Sequence, residues 1–285
     1  MSRYFAVQAA FCFALAHVLN RRGLVTSNGM TASLFSLSMS VLLTWTLAIL
    51  LVPLSTFHTP AVWYFLAGGI FAPGLGRTLT LLGMERVGAA RSVPIANTYP
   101  MIASFLAVMI MGERWTLQNF LGTSLVVLGV VILSKRDAAH MEWRKFDLIY
   151  PILAAVAFAI SSNLRKLGLL VEHEPVMGAA VTAVTGLFLG VAVLCVRGGV
   201  KEIALTRRSA AWFFASGVSN SGAMLSVFYA LGRGNVVIVE PLVGANPVLV
   251  ILLSAVFLRD LEAVTPRVLA GVLCTVAGSI LVVTA

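Results

Sequence analysis

Charge is scarce in this sequence. Asp, Glu, Lys and Arg make up only 11% of its 285 residues, against about 25% in soluble domains, and so few charges cannot solvate the surface of a water-soluble globule. Three cysteines are too few for a disulfide scaffold. Cys12, Cys195 and Cys274 stand singly inside apolar runs, as small buried hydrophobes do. Four histidines offer no HExxH pair and no ligand cluster, so no metal site is expected. A GxxxxGK[ST] loop is absent, so the sequence implies no nucleotide-driven work and no cofactor.

What fills the chain instead is hydrophobic, 59% before glycine is counted. This excludes disorder and points to an integral membrane protein. A spanning helix needs about 20 mostly apolar residues to cross about 30 Å of hydrocarbon. Ten such runs lie at 3–19, 30–52, 61–83, 89–111, 115–134, 149–171, 177–196, 210–231, 236–257 and 265–284, and in lipid they must be helices. Trp63, Trp115 and Trp212 open three of them, where an amphipathic ring suits the interface. The loops between are too short for a soluble domain.

The net charge of +9 does not form the clustered basic face that nucleic acid requires, so no nucleic-acid partner is expected. Most of the 20 Lys and Arg residues fall in the loops after the first, third, fifth, seventh and ninth runs. The positive-inside rule then puts both termini outside. Arg21, Arg22 and Arg91 also suit the lining of a vestibule.

Arg3 before an apolar stretch ending in Ala14-Leu15-Ala16 imitates a cleavable signal, but an internal repeat argues against removal. At an offset of about 145 residues, AAFCFALAHVLNRRGL falls on AAVAFAISSNLRKLGL, matching Ala9 to Ala154, Phe13 to Phe158, Leu19 to Leu164 and Gly23 to Gly168. Further on, Pro94 and Pro100 match Pro241 and Pro247, Glu113 matches Asp260, and Gly122 and Gly129 match Gly271 and Gly278. Residues 1–134 and 149–285 are therefore two five-helix repeats, joined by a linker at 135–148. An odd number of crossings reverses direction, so the expected fold is all-α, ten transmembrane helices in two inverted-topology halves, as in many secondary transporters.

Gly112-Glu113 closing the fourth run, Glu240-Pro241 in the ninth and the paired Gly-x6-Gly of the fifth and tenth, in this order and duplicated, resemble the EamA-type branch of the drug/metabolite transporter superfamily. The second half departs by carrying Arg259-Asp260 where the family usually has Gly-Glu. The resemblance implies a central cavity lined by the fourth and ninth helices, both termini in the cytoplasm, against the charge count, and export of amino acids or related metabolites.

Pro94, Pro100, Pro241 and Pro247 each remove a backbone donor. Two breaks in each of two spanning helices would free carbonyls at mid-membrane depth, where they need partners or a wet cavity. Asn97, Thr98 and Tyr99 lie between the first pair, Gly244 and Asn246 between the second. Glu240 is a carboxylate inside an apolar run, a candidate for proton coupling or for a structural bond. Arg77, in GLGRTLTLLG, is a candidate for attracting a carboxylate or phosphate, or a snorkelling residue. A direct pair with Glu240 would have to bridge on the order of 15 Å in depth. His17, Ser161–Asn163 and Ser219–Ser221, Asn220 among them, are polar groups that line a cavity or join helices. The glycine pairs read as helix packing, and the resemblance implies that they join the fifth and tenth helices within one chain, so that a monomer can suffice.

The expectation is a multi-pass secondary transporter of the cell membrane, moving a small polar or amphipathic metabolite by alternating access, with proton or exchange coupling at Glu240. Asn97, Tyr99, Asn246, Arg77 and Asn220 are the candidate substrate ligands. A polytopic membrane enzyme and a receptor-like regulatory module are the alternatives. Both lack sequence support, the first for want of a nucleophile-base or metal set.

Overall fold

A computed structural model describes residues 1–134, 144–257 and 266–285; Arg259 and Asp260 lie outside the described residues. The described chain is helical. Its helices are α1 Ser2–Gly23, α2 Gly29–Leu51, α3 Ala61–Val87, α4 Ala89–Ala96, α5 Tyr99–Met111, α6 Leu117–Ser134, α7 Ile149–Val171, α8 Pro175–Arg197, α9 Arg207–Arg233, α10 Val236–Gly244, α11 Asn246–Phe257 and α12 Pro266–Thr284. Among the described residues seven helical segments are long and apolar enough to cross a bilayer, α4–α5 and α10–α11 each counting as one, and α6 and α12 are shorter apolar helices. Helix α9 has the length, 27 residues, but a more polar composition. The chain is a multi-pass membrane protein.

The interior is built from small side chains. Ala6, Ala9 and Ala14 of α1, Ala154 and Ala159 of α7, and Ala179 and Ala180 of α8 are fully buried, which lets helix backbones approach closely where lipid supplies no hydrophobic drive between helices. Large side chains such as Leu50, Met109, Phe188 and Ile280 point outward, as acyl chains require. The sequence repeat reappears as paired contacts. Gly23 of α1 abuts the Phe213 ring of α9, and its repeat partner Gly168 of α7 abuts the Phe65 ring of α3. Ser216 of α9 donates to the Ala16 carbonyl at 3.0 Å, and Ser161 of α7 donates to the Gly68 carbonyl at 2.7 Å. Thus α1 lies on α9 as α7 lies on α3.

Both chain ends lie on one face, here the terminal face. There Ser2 sits against Gly234, and Gln118 at the start of α6 donates to the Thr284 hydroxyl at 2.8 Å. At the opposite face the loop after α1 is tied to the segment before α9, with Ser27 donating to the Ala204 carbonyl at 2.6 Å and Asn28 to the Glu202 carbonyl at 2.7 Å.

The prolines behave differently from the expectation of two breaks per helix. Each span breaks once, at Asn97–Thr98 between α4 and α5 and at Ala245 between α10 and α11. Pro94 and Pro241 stay inside their helices. Pro100 and Pro247 take the second position of the following segment, where a missing N–H leaves no helical bond unmade. Pro94 and Pro241 are each the sixth residue of a short segment, so the one bond each removes is to a first-turn carbonyl and the helix continues past it. A further irregularity was not expected: α3 is π-helical over Ile70–Gly76 around Pro73.

Helices α6 and α12 cross in antiparallel fashion on their glycines. Gly122 faces Gly278 and Gly129 faces Gly271, each pair joining one glycine from each repeat. A Cβ on Gly278 would stand 2.6 Å from the Gly122 carbonyl oxygen, and one on Gly129 2.7 Å from that of Gly271. Backbone atoms cannot step aside as flexible side chains do. Gly278→Ala and Gly129→Ala are each expected to destabilise the protein by about 1–3 kcal/mol, read as a lowered thermal midpoint in detergent. Gly29→Ala, with nothing within 4 Å, should leave the midpoint unchanged.

Candidate functional site

Helix α10 starts without a local cap: Asn235 precedes it and makes no side-chain cap bond. Its first amides are held from a distance. Glu113 accepts from Val236 N–H at 3.0 Å and Val237 N–H at 3.1 Å, one with each carboxylate oxygen. Gly112 makes this possible, since its left-handed backbone (φ 65°) ends α5 and turns the chain so that Glu113 faces α10. Beside it, Lys166 of α7 donates to the Leu231 carbonyl at 2.8 Å and the Gly234 carbonyl at 2.9 Å, at the end of α9. An anion thus meets a helix N-terminus and a cation a helix C-terminus, as the two dipoles favour, and α5, α7, α9 and α10 are clasped at the terminal face.

Inside this clasp lies a cavity of about 600 Å³. All six candidate ligands and coupling residues line it: Asn97, Tyr99, Asn246, Arg77, Asn220 and Glu240. Its walls reach Asn20, Met84 and Val93 near the opposite face. On the terminal side Ala103, Ala107, Phe228, Leu231 and Val236 are fully buried and form a plug, so the cavity opens away from the chain ends.

Glu240 sits at the closed end, one turn beyond the amides that Glu113 holds. It is 2% exposed and lines the same wall as Tyr99, Ser162 and Arg165, the last of which acts on it electrostatically. Its Oε1 has no hydrogen-bond partner. The two helix breaks meet nearby, with Gly244 against the Pro100 ring. Asn246 lines the cavity, and its Nδ2 donates at 3.1 Å to the Val243 carbonyl, the acceptor that Pro247 leaves without its helical donor. Thr98 similarly donates to the Ile95 carbonyl at 2.7 Å. Asn220 lines the cavity and also joins α9 to α2 by donating to the Ser40 hydroxyl at 3.1 Å.

Arg77 lines the cavity next to His17, on which its charge acts. The arginine facing Glu240 is Arg165. Arg165 and Lys166 are not among the sequence candidates, yet both lie inside α7 and Arg165 lines the cavity. Arg165 packs over the Phe228 ring at 5.6 Å, and its buried Nε has no partner. A signal for it was present: Arg165 stands as far from the end of its run as Arg77 does from the end of the third. Pro73, also in the wall, was signalled by one proline among three glycines in GIFAPGLG.

The direction of the opening can be checked by labelling. With Cys12, Cys195 and Cys274 replaced, Asn97→Cys and Asn220→Cys should react with a membrane-impermeant maleimide added from the face opposite the termini. Addition from the terminal face should label neither; equal labelling from both faces would contradict a closed terminal side.

The model of the EamA-like transporter family matches residues 3–135 and 146–284. No curated protein matches the chain. Among solved structures 29 chains match. One crystal structure has a TM-score of 0.82 at 15% identity, over 99% of this chain and 97% of that one, a likeness that shows the fold alone.

Proposed function

The chain belongs to the EamA-like transporter family, and on that premise we propose that it is a secondary transporter of the cell membrane, exporting a small polar or amphipathic metabolite, an amino acid or a related compound, by alternating access. The halves, residues 1–134 and 149–285, are ten spans in inverted topology that rock about the cavity between them. The paired contacts of α1 on α9 and α7 on α3 support this arrangement, and the pairing of α6 with α12 within one chain supports a monomer as the working unit.

The observation that carries the reading is a cavity open at one face, with buried Glu240 at its closed end. A carrier needs a site reached from one face at a time, placed near mid-membrane. Asn97, Tyr99, Asn246, Arg77 and Asn220 are the substrate ligands, and Glu240 takes the proton or exchanged solute that drives the cycle. An intramembrane carboxylate is costly, and this one shares the cavity wall with Tyr99, Ser162 and Arg165.

Purified protein in sealed vesicles, given a panel of amino acids and related metabolites under an imposed pH gradient, should show solute flux. Glu240→Gln should lose the gradient-driven component by roughly tenfold or more, as expected when a coupling group is lost, while folding normally. Flux of no solute by the wild type would overturn the carrier, and undiminished gradient-driven flux in Glu240→Gln would overturn the coupling assignment.

A further inference from the structure

A second cavity lies outside the larger one. It is a groove of about 290 Å³ between α1 and α12, floored by α10 and α11. Val7 and Ala10 form one wall, Ser279 and Ile280 the other, and Ala245 and Val248 the floor. Val7 and Ile280 are exposed, so in a membrane the groove opens sideways to lipid. Its lining is apolar, and the hydroxyls in it are turned to their own helix, Thr275 donating to the Gly271 carbonyl at 2.8 Å and Ser279 to the Thr275 carbonyl at 2.8 Å. Water needs several polar partners to settle in such a place, and this groove does not supply them.

The groove begins beside Val7 and Val283, near the terminal face, and runs inward toward Thr275 and Leu249. From Val283 to Thr275 it extends about 12 Å along α12, at 1.5 Å per residue. A helix from another chain, about 10 Å across, would need roughly 900 Å³ over that length, so the space admits only a thinner occupant. Left empty, it would forfeit dispersion contacts along its walls, and the solvent at this depth is acyl chain. Charge supplies the place for a head. Arg3 stands one turn before Val7 on the same face of α1 and is exposed at the terminal face, and Tyr4 beside it is a side chain suited to the membrane interface. We infer that the groove binds one acyl chain of an anionic phospholipid in the terminal-face leaflet, with the phosphate on Arg3. Leu242 and Ala245 face the groove while Val243 and Asn246 face the larger cavity, so the chain lies against the outer side of the break between α10 and α11. This lipid site stands independently of what the larger cavity carries.

The test uses the full chain in phosphatidylcholine vesicles containing a trace of phosphatidylglycerol or phosphatidylcholine with a photoactivatable diazirine in one acyl chain, and mass spectrometry to locate the cross-links. Labelling should concentrate at residues 245–249 and 275–283 over Leu121 and Leu128, which are exposed on the outer face of α6. In the groove the phosphatidylglycerol probe should label about fivefold more than the phosphatidylcholine probe, the worth of one basic side chain at an anionic head. Arg3→Gln should bring the two probes level while both still label the groove. Ser279→Phe, which fills the groove from α12, should cut groove labelling by both probes roughly tenfold or more, as expected when several methylenes lose their burial. If that variant fails to fold, Ser279→Leu carries the same comparison. Excess glycerol phosphate should not compete. Even labelling of α6 and α12 would overturn the site, as would groove labelling untouched by the filling variant. A phosphatidylglycerol preference that survives Arg3→Gln would overturn the placement of the head, and competition by glycerol phosphate would overturn the acyl chain as the bound part. An unlabelled groove that cross-links instead to a second copy of the chain would replace the lipid by a dimer contact.

Discussion

The Glu113 carboxylate on the first two amides of α10 is the contact from which the closed end of this protein is built. A helix beginning near the membrane with its leading N–H groups bare would carry several unsatisfied donors, and hydrocarbon offers no water to relieve them. Asn235 does not supply the cap. The acid comes from the turn after α5, so the start of one half's helix is fixed by the other half. Glu240 follows one helical turn later, and its depth, its partners and its place in the cavity wall are set by where α10 begins. Lys166, on the last carbonyls of α9, fixes the neighbouring helix end by the opposite charge.

The cavity is the counterpart of that closure. Breaking α4–α5 and α10–α11 leaves backbone acceptors without helical donors, and the side chains that answer them, Thr98 and Asn246, belong to the same wall as Tyr99 and Glu240. Structural satisfaction and ligand binding are therefore not competing roles for Asn246 or Asn220. One amide hydrogen satisfies a neighbour, and the side chain still borders the cavity. Small-residue packing makes this possible, since glycine and alanine at the crossings of α1 with α9, α3 with α7 and α6 with α12 bring backbones close enough for polar groups to reach across.

Much of this was legible from residue order alone. Apolar runs located the spans, and the 149–171 run coincides with α7. The repeat identified the glycine pairs, but only their antiparallel crossing joined Gly122 to Gly278 rather than to its sequence partner Gly271. The prolines located the breaks to within a few residues. They did not show that Pro94 and Pro241 would leave their helices intact, because that depends on distance from a helix start, which is the least legible feature of a sequence. Arg165 was overlooked because a cation near the end of an apolar run looks like a loop residue until the facing helix is known.

The sequence by itself determined that the chain lives in a membrane, that its spans are helices and that it is built twice, because the periodicity, apolar length and duplication that carry these facts are local to the chain. Tertiary structure alone decided which charges meet. Glu113 with α10, Lys166 with α9 and Arg165 opposite Glu240 join residues far apart in sequence, and each pairing depends on the depth and rotation of helices packed side by side. The scarcity of charge that marks the sequence leaves a few buried ions, and the low dielectric around them makes their placement decisive.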